Sequence, residues 1–257
     1  MNMESNPFKA PEARVADASS PDNSEFIPDG QSVPAGNGVA WLTRGWELFK
    51  QAPGVWIGIG LIYLIITVVL SVIPLIGPLA LSLLVPVFVG GIMLGCKALE
   101  NGEELGIGHL FAGFSNSTGN LIMIGVINLV GVIAIMIVFA IGGAIVGIGA
   151  AAMGAGKLAF IPILLMGLVA MLLFIPIAMA IWFAPALVIF HDVAPFEAMK
   201  ASFFACLKNL LPFLLYGLVV FVFAIIATIP LMLGWLVLMP VMMASAYAGY
   251  RDMFIRT

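Results

Sequence analysis

The chain has 257 residues, of which 63% are hydrophobic and 9% are charged, with a net charge of −3. Soluble domains run at about 45–50% apolar and about 25% charged residues. Water could not cover so much apolar surface, so a soluble globular fold is excluded and lipid must surround most of the chain. The acidic balance argues against a nucleic-acid partner.

Residues 1–38 hold mostly Pro, Ser, Asp, Asn and Gly. Too little apolar area is available there to offset the entropy of ordering, so they read as a disordered tail. No apolar run of the secretory-signal kind is seen in the first 35 residues, and no signal peptide is expected. The stretch Asn6-Pro7-Phe8-Lys9-Ala10-Pro11 reads either as a partner-binding motif or as an accidental Pro-rich run.

Residues 39–257 read as one all-α transmembrane domain of six helices. Residues 40–51 form a surface-lying helix, with Trp41, Leu42, Gly45, Trp46 and Phe49 on one face and Thr43, Arg44, Glu47 and Lys50 on the other. The spans follow at 54–74 and 79–96, divided by the turn Pro74-Leu75-Ile76-Gly77-Pro78. Residues 97–118 are polar, and Leu105, Leu110, Phe111 and Phe114 hint at a second surface helix. The third span is 120–150 and the fourth 158–190, with Lys157 in the loop between them. A straight helix over the fourth would be about 50 Å long, so it must tilt, kink or run on past the surface. Residues 195–209 form a third surface helix, with Phe196, Met199, Phe203, Leu207 and Leu210 on its apolar side. The last spans are 211–233 and 235–250, turning at Gly234.

Six spans put both ends and two loops on one side. That side carries Lys9, Arg14, Arg44, Lys50, Lys97, Lys200, Lys208, Arg251 and Arg256, against Lys157 on the other. Cationic loops stay inside, so both termini are expected in the cytoplasm of a bacterial inner-membrane protein. The two cysteines, Cys96 and Cys206, fall on that side as reduced packing residues. Pro86, Pro176 and Pro240 each sit midway along the second helix of a hairpin. Gly95 and Lys97 follow Pro86 at the offsets at which Gly249 and Arg251 follow Pro240. The domain therefore reads as three parallel repeats of surface helix plus hairpin, at about residues 40–99, 105–190 and 195–254.

The tail motif, the run from His191 to Ser202 (HDVAPFEAMKAS) and the proline-marked hairpins together carry a resemblance. They look like a family of uncharacterised bacterial six-helix inner-membrane proteins. More distantly they are similar to YciC-type proteins and to the membrane region of some glycerophosphodiester phosphodiesterases. The resemblance implies the architecture and no activity.

Residues that could carry chemistry are few. His191-Asp192 could be half a metal site or an acid–base pair, but reads better as a wet helix end. His109 stands alone on another loop. Glu100, Glu103 and Glu104 read as a solvated acidic loop. Asn128 could line a substrate path, though a hydrogen bond between helices suits it better. None of the spans holds an ionisable residue in its core, unlike many ion-coupled carriers. No catalytic, cofactor-binding or metal-binding residue is assigned, and no cofactor is expected. The expected role is a non-enzymatic accessory or scaffold protein, with the bilayer and a protein bound through its cytoplasmic surface as partners. The alternative is a permeation or transport protein for small molecules or lipids. The sequence leaves the oligomeric state open.

Overall fold

The structure, a computed structural model, describes residues 25–152 and 160–256. The motif at residues 6–11 and the loop at Lys157 lie outside the described residues. Among the described residues are nine α-helices, one 3-10 helix and two short strands. The first surface helix is α1 (Asn37–Gln51), and it leads into the hairpin α2 (Pro53–Ser71) and α3 (Ile76–Glu100). The weak second surface helix is the 3-10 helix Ile107–Phe114, followed by α4 (Thr118–Ala152), α5 (Phe160–Trp182) and α6 (Ala184–His191). The third surface helix is α7 (Pro195–Lys208), before the hairpin α8 (Leu210–Thr228) and α9 (Trp235–Phe254).

Among the described residues, five segments are long and apolar enough to cross a bilayer: α2, α3, α4, the α5–α6 run and α8. The expectation of six counted α9 as well. Its 20 residues include Tyr247, Tyr250, Arg251 and Asp252 in the last two turns, which lowers its apolar content below that of the others. At 35 residues, α4 is about 52 Å long. That exceeds a hydrocarbon layer of about 30 Å.

The fourth span is kinked rather than straight. Pro185 stands just inside α6 and α5 ends at Trp182, so Phe183 and Met179 lose their helical partners. Ser202 of α7 fills the gap. Its hydroxyl donates to Met179 O at 2.7 Å and accepts the Phe183 N–H at 3.0 Å. A side chain inserted into the ladder lets a helix break at depth without orphaned backbone groups.

Each surface element packs on a proline-bearing second helix: α1 on α9, the 3-10 helix on α3, α7 on α5. The first contact joins the two ends of the chain and closes a ring. Two of these seams are set by glycine. A Cβ at Gly45 of α1 would stand 2.6 Å from Val241 O, and one at Gly113 would strike Val87 O. Val241 and Val87 each follow their helix proline by one residue, so the two seams meet at matching positions. Of the small-residue pairs Gly54/Gly58, Gly91/Gly95 and Ser245/Gly249, the last two serve these internal seams, while a Cβ at Gly54 would meet nothing within 4 Å.

On α7 the buried face only partly follows the apolar pattern, since Met199 is buried and Phe203 half-buried but the rest of that pattern is not. Ala198, Met199, Ser202, Ala205 and Cys206 are buried, whereas Phe196, Phe204 and Leu207, with Leu210 at the start of α8, are exposed. Apart from Met199, small residues line the approach of α7, and most of the large ones are left exposed. Burial pushes the Cys206 thiol up to about 12, in keeping with an inert packing role.

The tail also needs correction. Its disordered part was expected to reach residue 38, yet residues 25–36 are fixed against the end of the chain. Strand β1 (Glu25–Phe26) pairs antiparallel with β2 (Ile255–Arg256). Gln31 N–H donates to Met253 O at 2.8 Å. Asn209, 1% exposed, accepts the Val33 N–H at 2.8 Å and donates to Gln31 O at 2.9 Å. Gly30 adopts a φ of 63°, and a Cβ there would lie 2.9 Å from the Ala205 side chain. Backbone pairing with a distant strand offsets the entropy of a segment whose own composition is too polar to collapse.

Candidate functional site

A network of linked polar side chains lies where α1, α3, α9 and the residue 25–36 segment meet. Glu100, the last residue of α3, is the hub. Its Oε2 accepts from Tyr247 Oη at 2.6 Å and lies 3.3 Å from Arg251 Nε, and its Oε1 accepts from Arg44 Nη2 at 3.2 Å. Asp252 forms a second centre: its Oδ2 accepts from Trp41 Nε1 at 2.7 Å and from Asn37 Nδ2 at 2.9 Å. Gln31 Nε2 donates to the Asp252 carbonyl at 2.9 Å. These groups line a cavity of about 380 Å³, which Arg256 also borders. Arg256 in turn reaches Glu25 at 3.3 Å.

Beside it stands a second, smaller set. His191 Nε2 lies 2.7 Å from Tyr250 Oη, and its ring stacks on Phe26 at 3.6 Å. The Lys97 ammonium sits 5.2 Å over the Phe190 ring. Asp192 closes α6 in a left-handed conformation, with φ 51°. His191 is thus held by aromatic neighbours rather than by further acids.

The other sequence candidates are dispersed. His109 is folded back on its own turn, where its Nδ1 accepts the Gly106 N–H at 3.0 Å. Glu103 and Glu104 are exposed, as a solvated loop requires. Glu100 is the exception to that reading: four residues after the fully buried Cys96, it continues the packed face of α3. Helical spacing from Cys96 is the signal that could have separated it from its neighbours. Asn128 is half-buried, and no side-chain hydrogen bond from it occurs among the described residues. The hydrogen bond between hairpin helices is made instead by Tyr216 and Ser245, at 2.9 Å.

Apolar space lies further along the bundle. A cavity of about 320 Å³ is lined from all three proline-bearing helices, by Val89 and Met93, by Trp182 and Pro185, and by Met242 and Met243. A larger groove of about 650 Å³ runs between α1, α8 and α9, past Trp46, Phe223 and Leu238.

One sequence comparison bears on what this arrangement is for. Over 226 residues the chain is 30% identical to a Burkholderia thailandensis protein named as a probable inner membrane protein, covering 84% of this chain and 82% of that one. The chain belongs to that inner-membrane protein family. No family profile and no solved structure matches it. The kinship explains the exposed leucines, isoleucines and valines of α4, α5 and α8 as lipid-facing surface. The polar network then caps one end of an inner-membrane bundle.

Proposed function

We propose that this inner-membrane protein is a non-enzymatic accessory or scaffold protein whose cytoplasmic surface meets a partner or the lipid headgroups. It crosses the bilayer six times, as three parallel hairpin repeats with α9 as the sixth span. Both ends are cytoplasmic. The observation that carries the reading is the concentration of surface helices, cations and the Glu100 and Asp252 networks at one end of the bundle. The matching seams at Gly45 and Gly113 support the repeat. The distant kinship with YciC-type proteins and phosphodiesterase membrane regions belongs to the same reading and brings no activity with it.

A reporter active only in the periplasm, fused after residue 257, is expected to be silent, and one active only in the cytoplasm is expected to work. The reverse pattern would overturn the topology. For the scaffold, the full chain and a chain lacking residues 1–24 are captured from detergent extracts. Deletion stops at 24 because residues 25–36 pair with β2, the end of α9 and Asn209. A protein held by the full chain and lost from the shortened one is the expected result. Identical recovery from both would remove the tail from this reading, and recovery of no protein would remove the scaffold.

A second reading, permeation, has one observation in its favour: the cavity bordered by all three proline-bearing helices. Its valine, methionine and tryptophan lining suits an acyl chain, not a hydrated ion.

A further inference from the structure

We propose that the arginine-bordered cavity between α1, α3 and α9 binds a phosphate-bearing anion. The inference rests on the cytoplasmic-surface reading above and names the chemistry that surface recognises.

Three guanidinium groups border one cavity: Arg44, Arg251 and Arg256. Among the described residues each spends a single nitrogen on a carboxylate, Arg44 Nη2 and Arg251 Nε on Glu100 and Arg256 Nη1 on Glu25. A guanidinium carries several further donors in a fixed planar fork. The acids are in the opposite condition. Glu100 takes Tyr247 and both arginines, and Asp252 Oδ2 takes Trp41 and Asn37. Among the described residues, only Asp252 Oδ1 is left without one of these partners, so more donors than acceptors remain at the cavity.

The charges point the same way. Three arginines border the cavity against two acids, Glu100 and Asp252, which leaves one positive charge in excess. Glu25 offsets it only loosely: its pair with Arg256 has both side chains more than 60% exposed, where water screens most of the attraction. A carboxylate ligand could engage one fork; a phosphate offers enough oxygens to engage several at once. Arg251 is held rigidly, with its side chain 27% exposed, while Arg44 and Arg256 are 66% and 63% exposed and free to close on a ligand.

The phosphate could belong to a phospholipid headgroup or to a soluble compound, and position is compatible with both. Basic pockets between membrane helices on the cytoplasmic side hold lipid headgroups. Trp46, 44% exposed on α1, marks headgroup depth, and the apolar groove on the other flank of α1 could take acyl chains.

The test uses the full-length protein purified in detergent. Two probes are applied: phosphatidylglycerol against phosphatidylcholine, read as lipid retained in native mass spectrometry, and inorganic phosphate, read as a rise in melting temperature. Arg44→Gln and Arg256→Gln are compared with Lys50→Gln, which removes a cation from the outer side of α1. Each arginine lost should weaken binding by about fivefold, with Lys50→Gln unchanged. Preferential retention of phosphatidylglycerol assigns the site to a headgroup. Stabilisation by inorganic phosphate, lost in the arginine variants, assigns it to a soluble phosphate compound. If neither probe binds, or if all three variants behave alike, the proposal is overturned. Arg256→Gln alters only the exposed end of a two-residue strand, so misfolding would not mask the answer. Partner capture reads protein and these probes read lipid and phosphate, so either can fail without the other.

Discussion

Replacing Ser202 by Ala is expected to lower stability by about 2–4 kcal/mol, read as an earlier thermal melt in detergent. The reason is that one hydroxyl satisfies two buried backbone groups. Met179 O and Phe183 N–H would both lose their partner at the break between α5 and α6, and each orphaned group costs about 1–3 kcal/mol. Cys206 could recover little, since its sulfur stands 3.6 Å from the same carbonyl and is a weak donor. Ser82→Ala is the comparison. Its hydroxyl bonds only Pro78 O within its own helix, so its loss should be nearly silent. Equal melting of the two variants would mean that Ser202 does not bridge the break.

The second expected result concerns the seam that closes the ring. Gly45→Ala places a Cβ 2.6 Å from Val241 O and 2.7 Å from Ser245 N. Both are backbone atoms of α9, so no rotamer change can yield, and α1 must back away from its partner. Overpacking of this kind costs about 1–3 kcal/mol. The sign is informative, because Gly to Ala within a helix ordinarily gains about 0.5–1 kcal/mol. Gly217→Ala in α8, where nothing lies within 4 Å, should show that gain or no change. If Gly45→Ala melts at or above the parent protein, α1 is not seated on α9 as described.

These two sites explain how so apolar a bundle acquires a defined end. Lipid tails solvate leucine as well as another helix does, so hydrophobicity alone cannot hold membrane helices together. Close backbone approach at Gly45 and Gly113, and hydrogen bonds at Ser202 and Tyr216, supply what it lacks. Those contacts bring Arg44, Glu100 and Asp252 together.

Much of this was legible beforehand, because hydrophobic period and length act locally. The surface helix expected at 40–51 runs from 37 to 51, and the one expected at 195–209 runs from 195 to 208. The turns at Leu75 and Gly234 fall where Pro and Gly placed them. The tail boundary was missed, because residues 25–36 are ordered by a strand more than 200 residues away. The acidic loop is not uniform, for a related reason. Glu103 and Glu104 meet water, but Glu100 meets Arg44 and Tyr247, which lie 56 and 147 positions away.

The amino-acid order alone therefore determined the solvent, the helices and their approximate ends, since each depends on composition and spacing within a single turn or span. The tertiary structure alone decided which face of α7 is inside, where the fourth span breaks, and which charges share a cavity. Those outcomes depend on backbone groups and guanidiniums from distant segments meeting within hydrogen-bond range, and a linear pattern carries no such distance.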